Sequence, residues 1–305
     1  MLQVDAPLAQ RAWPTPSAVL ELFKPVTWFA AMWAFVCGVV STGLPVLERW
    51  PYILGGVVLA GPLVCAASQA VNDWFDRDVD AINEPHRPIP SGRIPGHWGL
   101  YLAVFWSAAS LVFAALLGTW AFAAGLVAVI LAWAYSAPPV RLKRSGWAGP
   151  GAVALSYEGI AWLTGAAVMA GTAPGPWIVG AALLYSIGAH GIMTLNDFKA
   201  VEGDIETGVR SLPVVLGPER AAKLACLIMA VPQVFVIVGL ISIGAPVHAL
   251  AVAGLLVGQV ICMRTLLRDP EGRAAWYNGT GVGMFVLGML ITAFAIGANG
   301  GGGTW

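Results

Sequence analysis

The sequence has few charged residues: only 10% of its 305 positions are Asp, Glu, Lys or Arg, compared with about a quarter in soluble domains. The 16 basic residues balance the 16 acidic ones, so no excess of positive charge indicates a nucleic acid as a partner. The four cysteines, Cys37, Cys65, Cys226 and Cys262, stand singly within apolar runs. This spacing argues against a disulfide framework or a cysteine metal site.

The start of the chain lacks the features of a cleavable secretory signal, because residues 1–20 contain Asp5 and several prolines but no basic start. We expect these residues to form an N-terminal cytoplasmic segment. The glycine-rich residues 298–305 predict a flexible tail. We treat residues 1–305 as a single domain, because apolar runs continue along the whole length between these two ends.

What the chain does contain is a series of apolar runs of about 20 residues, each long enough to cross a bilayer as a helix, and 58% of all residues are hydrophobic. We therefore predict an all-α, polytopic membrane protein with nine transmembrane helices. The predicted spans are residues 26–44, 51–72, 98–117, 119–135, 150–171, 176–196, 221–242, 246–263 and 277–297.

The basic residues are distributed unevenly between the two ends of these spans. All except Arg49 lie in the N-terminal segment or in connections on one side. Lys and Arg accumulate on the cytoplasmic side of membrane proteins. We therefore predict that the N-terminus, the charged connections and any active site face the cytoplasm.

Two acidic stretches share one pattern. "NDWFDRDVD" begins at Asn72 and "NDFKAVEGD" begins at Asn196, and each follows a long apolar span. Each is also followed by Arg-x-x-Pro, beginning at Arg87 and Arg210. Internal repeats that enclose a site are common in membrane proteins. We predict two related halves around a central cavity that opens to the cytoplasmic side.

The spacing of the acids places most of them on one helical face, since successive residues turn by about 100°. Asp78 and Glu202 lie well off that face. The acids that share it are Asp73, Asp76 and Asp80 in the first stretch and Asp197 and Asp204 in the second. If both stretches are helical, each half presents one carboxylate stripe, and the two stripes could converge.

Converging carboxylates repel each other unless a cation lies between them. Oxygen ligands suit Mg²⁺, which binds one or two carboxylates together with substrate phosphates. Basic residues occur in the same connections and could bind phosphate oxygens. The mixture favours a magnesium–diphosphate complex at the interface, with a lipid tail between the apolar helices.

Two other interpretations remain open. The acids could be solvated helix ends, although this does not explain why the pattern occurs twice. They could also mark the pathway of a cation-coupled transporter, although a cation pathway would not favour so many bases among the acids.

The first stretch, Asn72-Asp73-x-x-Asp76-x-x-x-Asp80, resembles the first signature of the UbiA-type intramembrane prenyltransferases, and the resemblance extends over the whole chain. It implies two magnesium-bridged acidic motifs that ionise a prenyl diphosphate. Arg77 would contact the diphosphate. The implied magnesium ligands are Asn72, Asp73, Asp76, Asp80, Asn196, Asp197 and Asp204. Many members of the family carry an Asp where Ala200 stands here, and we expect Asp197 to substitute for it.

Longer stretches resemble the chlorophyll and bacteriochlorophyll synthases within that family. They are "FKPVTWFAAMWAFVCG", "RPIPSG", "YSAPPVRLKRSG" and "NDFKAVEGDIETGVRSLPV". The resemblance is stronger to the bacteriochlorophyll synthases. It implies transfer of a geranylgeranyl or phytyl chain from its diphosphate to the propionate of a (bacterio)chlorophyllide. The implied location is a bacterial inner or intracytoplasmic photosynthetic membrane, where pigment-biosynthesis or pigment-protein assembly partners are possible. The alternative acceptors are a quinone precursor, homogentisate or haem.

Further residues are candidates for substrate binding. Bases near the acidic motifs would neutralise charge on the leaving diphosphate, and an aromatic face near a span end could stabilise a carbocation. These candidates are Arg87, Arg141, Lys143, Lys199 and Arg210 for the diphosphate and Tyr135 for the cation.

Two polar residues within the spans have two interpretations each. Glu158 lies deep in a span, where it could form a helix–helix hydrogen bond or line the acceptor pocket. His190 could link two helices, or it could meet the acceptor. We keep both as candidate substrate-binding residues.

Overall fold

The computed structural model describes residues 13–299. Within that range, nine helical segments are long and apolar enough to cross a membrane, which confirms the predicted class and number of spans. The N-terminal and C-terminal segments expected at 1–20 and 298–305 lie partly outside the described residues. The nine segments are α1 (Pro16–Ser41), α2 (Trp50–Asn83), α3 (Trp98–Leu117), α4 (Thr119–Ser136), α5 (Ala148–Ala170), α6 (Pro176–Thr207), α7 (Pro218–Ser242), α8 (Pro246–Leu266) and α9 (Pro270–Ala298).

The helix ends follow local sequence signals. Proline occupies the first turn of α6, α7, α8 and α9, where its missing N–H costs no hydrogen bond. Gly171 ends α5 in the left-handed region with φ 73°, a conformation that only glycine adopts without strain. Several helices extend beyond the predicted spans on the charged side, and α2 continues as a helix to Asn83.

Four of the nine segments are interrupted near the candidate site: α1, α2 and α5, and also α6, which is described with the second acidic motif. In α1 a short helix, Pro16–Leu22, and a 3₁₀ turn, Pro25–Thr27, precede the main helix. In α2 and α5 the helix widens into π-helical turns at Leu59–Cys65 and Leu155–Ile160. Such turns are frequent at functional sites.

The second acidic motif differs from the first in its backbone. The first lies within one α-helix, Ala66–Asn83. In α6 the α-helix ends at Asn196, a 3₁₀ turn covers Asp197–Ala200, and a new helix runs over Val201–Thr207. The assumption that Asp197 and Asp204 share one face of a continuous helix is therefore wrong. Their relative position is set by the 3₁₀ turn.

Short segments connect the spans on the charged side. They include the 3₁₀ turn Leu142–Arg144, the helix Leu212–Leu216 and a single bridge between Ser145 and Arg210. The backbone N–H of Gly146 donates to the Arg210 carbonyl at 2.8 Å, and the Arg210 N–H donates to the Arg144 carbonyl at 3.0 Å. These bonds attach the connection after α4 to the segment that follows the second motif.

The contact between α1 and α5 depends on glycine. A Cβ atom on Gly165 would lie 2.0 Å from the Phe35 carbonyl oxygen, and one on Gly38 would lie 1.9 Å from the Trp162 carbonyl oxygen. Small residues let membrane helices approach closely, because packing rather than water exclusion drives their association. This crossing places the π turn of α5 opposite α1.

We expect Gly165→Ala to lower stability, because a methyl group cannot fit against the Phe35 backbone without separating the two helices. Overpacking of this kind costs about 1–3 kcal/mol. Gly180→Ala in α6 is the matched control, since its Cβ meets nothing within 4 Å. Thermal unfolding of the purified variants in detergent measures the difference. Equal midpoints for the two variants would contradict the proposed close contact.

Candidate active site

The first acidic motif presents its carboxylates on one face of α2, as the spacing predicts. The side chains of Asp73 and Asp80 are only 2% and 9% exposed. Asp78, which lies off that face, is 85% exposed. The helical periodicity therefore separates buried from solvent-facing acids correctly in this motif.

Each carboxylate on this face is paired with a base from a different segment. The Lys24 ammonium lies 2.6 Å from Asp73 Oδ1, and the Arg87 guanidinium lies 2.8 Å from Asp80 Oδ2. Lys143 forms an ion pair with Asp76. The positive charges that let these three carboxylates pack together thus come from basic side chains of the described chain.

The environment of two of these bases affects their protonation. Burial lowers the pKa of Lys143, and the attraction of Asp76 opposes this shift only in part. Burial acts against the charged form of Arg87 as well, but the attraction of Asp80 and Asp73 outweighs it and raises the pKa of the guanidinium. Lys143 is the base whose positive charge depends more strongly on its carboxylate partner.

Two bases at this end of the molecule are held in the left-handed backbone region. Lys24 has φ 45° and Arg141 has φ 42°, and they are the only residues other than glycine with positive φ within 13–299. This conformation costs an ordinary residue about 1–2 kcal/mol and is concentrated at functional sites. The strain is consistent with a requirement to hold these bases at the site.

The second motif contributes acids that have no such partners. No base of the described chain lies within ion-pairing distance of Asp197 or Asp204. The side-chain oxygen of Asn196 accepts a hydrogen bond from the Asn278 amide at 2.7 Å. This bond links the end of the α6 helix to α9.

The two motifs meet around Tyr135 at the end of α4. Tyr135 lines the cavity beside the residues that open both motifs. Asn72 and Asn196, which open the two motifs, both line the same cavity. The structure thus brings the two stretches together, although the second reaches this point through a broken helix.

The acids and amides fit a divalent metal whose coordination is completed by a ligand. The second carboxylate oxygen of Asp73, Oδ2, is buried and has no hydrogen-bond partner, so one lone-pair site remains free. No three His, Cys, Asp or Glu side chains in the described part of the chain form a cage that could hold a metal on their own. Magnesium commonly binds through a few protein oxygens, waters and substrate phosphates.

The remaining predicted bases lie nearer the surface. The Arg77 guanidinium stacks 4.3 Å over the Trp74 ring and donates to the Trp74 carbonyl at 2.8 Å. Lys199 and Arg210 are exposed beside the second motif. A role for these three in binding diphosphate remains a prediction.

A cavity of about 920 Å³ extends from the motifs into the helix bundle. Its walls are mostly apolar and aromatic. The π turns of α2 and α5 both contribute residues, including Cys65, Tyr157 and Glu158. Tyr135, at the end of α4, also lines the cavity. A polar end and an apolar interior suit an amphiphilic substrate with a charged head.

Glu158 and His190, the two polar candidates within the spans, have different surroundings in the structure. Glu158 lines the cavity. His190 does not occur in the cavity lining; its Nε2 lies 3.1 Å from the Trp147 carbonyl oxygen, and its ring packs against the Trp147 ring at 5.4 Å. His190 therefore has the interhelical position that its sequence context also allowed.

Sequence reasoning did not identify Lys24 or Asn278 as site residues. Lys24 stands in the stretch "FKPVTW", whose Lys-Pro pair interrupts the first helix and was a usable signal. Asn278 lies at a span boundary with no charged neighbour in sequence, and only the fold brings it to Asn196.

Comparison with known proteins identifies the family of the chain. The model of the UbiA prenyltransferase family matches residues 26–288, and the chain belongs to that family. It is therefore a prenyltransferase with membrane-spanning helices.

Individual relatives give a narrower similarity. The chain is 59% identical over 295 residues to the bacteriochlorophyll synthase 33 kDa chain of Cereibacter sphaeroides, covering 97% of this chain and 98% of the relative. It is 45% identical to the bacteriochlorophyll synthase 34 kDa chain of Chloroflexus aurantiacus, over 96% of this chain and 93% of the relative. The chloroplastic chlorophyll synthase of Arabidopsis thaliana is 37% identical, over 90% and 73% of the two chains.

A solved structure shares the fold. The UbiA homolog from Archaeoglobus fulgidus bound to GPP and Mg²⁺ superposes with a TM-score of 0.71 and covers 92% of this chain and 99% of its own. The identity is 22%, so the likeness supports the nine-helix architecture only.

We expect Lys24→Met to destabilise the metal-free protein, because it leaves the buried Asp73 carboxylate with only Arg87, at 3.8 Å, as a nearby base. Removing one partner of a buried ion pair costs up to about 3–5 kcal/mol. Adding Asp73→Asn should recover part of this loss. Thermal unfolding without magnesium measures both variants.

The control is the exposed pair between Glu21 and Arg93, whose Oε1 and Nη2 atoms lie 2.8 Å apart. Glu21→Gln should change stability by less than about 1 kcal/mol, since exposed pairs are screened. An additive effect of Lys24→Met and Asp73→Asn would show that their pairing does not contribute to stability.

Proposed function

We propose that this prenyltransferase moves a geranylgeranyl or phytyl group from its diphosphate to the propionate carboxylate of a (bacterio)chlorophyllide, with Mg²⁺ as cofactor. The observation that carries the proposal is the 59% identity to a bacteriochlorophyll synthase chain over nearly the whole length of both proteins. The acidic motifs at the mouth of an apolar cavity provide a place for the reaction.

The reaction exchanges one C–O bond for another. The bond between the prenyl C1 and the diphosphate oxygen breaks, and its electron pair leaves with diphosphate. The allylic cation that remains is captured at C1 by a propionate oxygen, which forms the ester. The chain must stabilise negative charge on the leaving group and positive charge on the prenyl carbon.

The metal would be held by the ligands that the family resemblance implies. They are Asn72, Asp73, Asp76, Asp80, Asn196, Asp197 and Asp204. Bound there, Mg²⁺ supplies Lewis-acid stabilisation of the phosphate oxygens.

The bases now paired with the first motif are close enough to share this work. Lys24, Arg87 and Lys143 each approach a carboxylate of that motif, so they border the volume where a diphosphate would bind. Charge-assisted hydrogen bonds from such groups to phosphate are among the stronger polar contacts. Tyr135, which lines the cavity, presents an aromatic ring where the prenyl C1 would be.

The acceptor requires no general base. A propionate has a pKa of about 4, so its carboxylate is already an anion at neutral pH. This fits a site in which His190 is engaged with the Trp147 carbonyl, away from the cavity lining. A quinone precursor or homogentisate acceptor would lose a proton from a ring, and the similarity to chlorophyll and bacteriochlorophyll synthases does not favour these acceptors, haem or cation transport.

The location of the site follows from the distribution of charge. We place the motifs on the cytoplasmic side, because the bases that surround them belong to the side that carries all basic residues except Arg49. The Arg49 guanidinium lies at the opposite end, 2.6 Å from the Met169 carbonyl near the end of α5. A bacterial photosynthetic membrane, with the partners that supply or receive pigment, is the corresponding setting.

We expect Asp73→Asn and Asp197→Asn each to reduce esterification by at least about 100-fold, since even supporting residues of metal sites contribute 10–100-fold. Purified variants are incubated with geranylgeranyl diphosphate, Mg²⁺ and bacteriochlorophyllide, and the pigment ester is quantified. Asp78→Asn, in the same motif but facing solvent, is the control and should retain activity.

The identity of the product distinguishes the alternatives. An esterified pigment supports the proposal, whereas a prenylated aromatic ring from a quinone precursor would indicate a different acceptor. Normal turnover by either Asp73→Asn or Asp197→Asn would exclude the two-motif mechanism.

A further inference from the structure

Among the described residues, Glu158 is the only Asp, Glu, Lys, Arg or His in the lining of the large cavity. No hydrogen bond or ion pair joins its carboxyl group to any described residue. Ionisable residues within membrane spans are costly and mark functional positions. An unpaired carboxyl group in a cavity wall therefore indicates a ligand that completes its hydrogen bonding.

Several polar neighbours in the same wall are, in contrast, hydrogen-bonded within the protein. The Tyr157 hydroxyl lies 3.0 Å from Cys65 Sγ and accepts a hydrogen bond from the Gln69 amide at 3.2 Å. The Thr164 hydroxyl donates to the Ile160 carbonyl of its own helix at 2.6 Å. Of the four wall residues Tyr157, Glu158, Thr164 and Gln69, Glu158 is the one whose side chain forms no hydrogen bond with a described residue.

The backbone fixes the direction in which Glu158 faces. It lies in the π turn Leu155–Ile160, and the adjacent Gly159 is packed so closely on α6 that a Cβ there would lie 2.4 Å from Ser186 Oγ. With that side of the turn occupied, rotation of the segment is restricted. Glu158 remains on the cavity side.

Glu158 lies deeper in the helix bundle than the acidic motifs. At 1.5 Å per residue, it lies about 15 Å along α5 from the start of that helix at Ala148, next to the connection that carries Lys143. No hydrogen bond or ion pair joins this carboxyl to a described residue of the acidic motifs, so we assign it no part in breaking the C–O bond.

The chemistry of the two substrates indicates which of them contacts the Glu158 carboxyl group. A prenyl chain has no polar atom beyond its diphosphate and cannot satisfy a carboxyl group. A carboxylate without a cation in an apolar wall is strongly disfavoured relative to the neutral acid, and a neutral acid is a hydrogen-bond donor. A (bacterio)chlorophyllide carries carbonyl groups at the edge of its macrocycle, away from the propionate that reacts.

We infer that Glu158 donates a hydrogen bond to a peripheral carbonyl of the tetrapyrrole acceptor and so orients the macrocycle with its propionate toward the acidic motifs. This inference rests on the proposed function. It makes Glu158 a positioning and specificity residue for the acceptor, not a catalytic residue.

The test compares wild type, Glu158→Gln and Glu158→Leu, with Thr164→Val as a control that alters a polar residue of the same wall already bonded to its own helix. Resonance Raman spectra of bound bacteriochlorophyllide report the stretching frequency of carbonyls conjugated with the macrocycle, which falls when a hydrogen bond forms. KM values for pigment and for geranylgeranyl diphosphate are measured separately.

We expect a lowered carbonyl frequency in wild type, Thr164→Val and Glu158→Gln, because the amide remains a donor. In Glu158→Leu the frequency should return to that of the free carbonyl. The KM for pigment should rise about tenfold, as loss of a buried hydrogen bond allows, while the KM for geranylgeranyl diphosphate stays unchanged.

Three results would overturn the inference. They are an unchanged carbonyl frequency in Glu158→Leu, a rise confined to the KM for the prenyl diphosphate, and a change in the marker bands for macrocycle magnesium coordination in Glu158→Gln, which would make Glu158 a metal ligand instead. Failure of wild type to bind or esterify the pigment would refute the proposed function itself, and this outcome is separate from the other three.

Discussion

The pairing of buried carboxylates with bases from distant segments is the interaction on which this structure depends. Asp73, Asp76 and Asp80 lie on one face of α2 at the end of an apolar bundle. Without cations they would repel each other and would be expensive to desolvate. Lys24, Lys143 and Arg87 come from three separate segments to meet them. The charged end is thereby stable before any metal or substrate binds.

The same pairs of carboxylates and bases are also suited to binding a metal–diphosphate complex. A diphosphate with magnesium brings both signs of charge, so carboxylates and bases that now neutralise each other can each find a partner in the ligand. The second motif adds two carboxylates, Asp197 and Asp204, that have no ion-pair partner among the described residues and that a bound cation can neutralise. The apolar cavity next to these groups then separates the ionised head from the hydrocarbon tail and limits access of water.

The sequence was sufficient to predict the architecture and much of the site, for identifiable reasons. Long apolar runs define membrane helices with little ambiguity, and helical periodicity distinguished buried Asp73 from exposed Asp78. The same periodicity failed at Asp197, because the α-helix ends at Asn196 and a 3₁₀ turn replaces it. Periodicity assumes a regular helix and cannot detect where one is interrupted.

Contacts between distant segments were also beyond sequence reasoning. Lys24 reaches Asp73 only because a break in α1 holds it in the left-handed region, and Asn278 reaches Asn196 through the packing of α9. Glu158 had two equally reasonable interpretations until the cavity was located beside it.

The most direct test of the account is whether both motifs bind the same metal–diphosphate complex. Mn²⁺ can replace Mg²⁺ as a spectroscopic probe, and its binding can be titrated by electron paramagnetic resonance in the presence of an unreactive prenyl thiodiphosphate. The account predicts that binding is lost when either Asp73 or Asp197 is replaced by Asn and is retained in Asp78→Asn. Undiminished binding in one of the first two variants would show that the motifs act separately and would contradict the central claim.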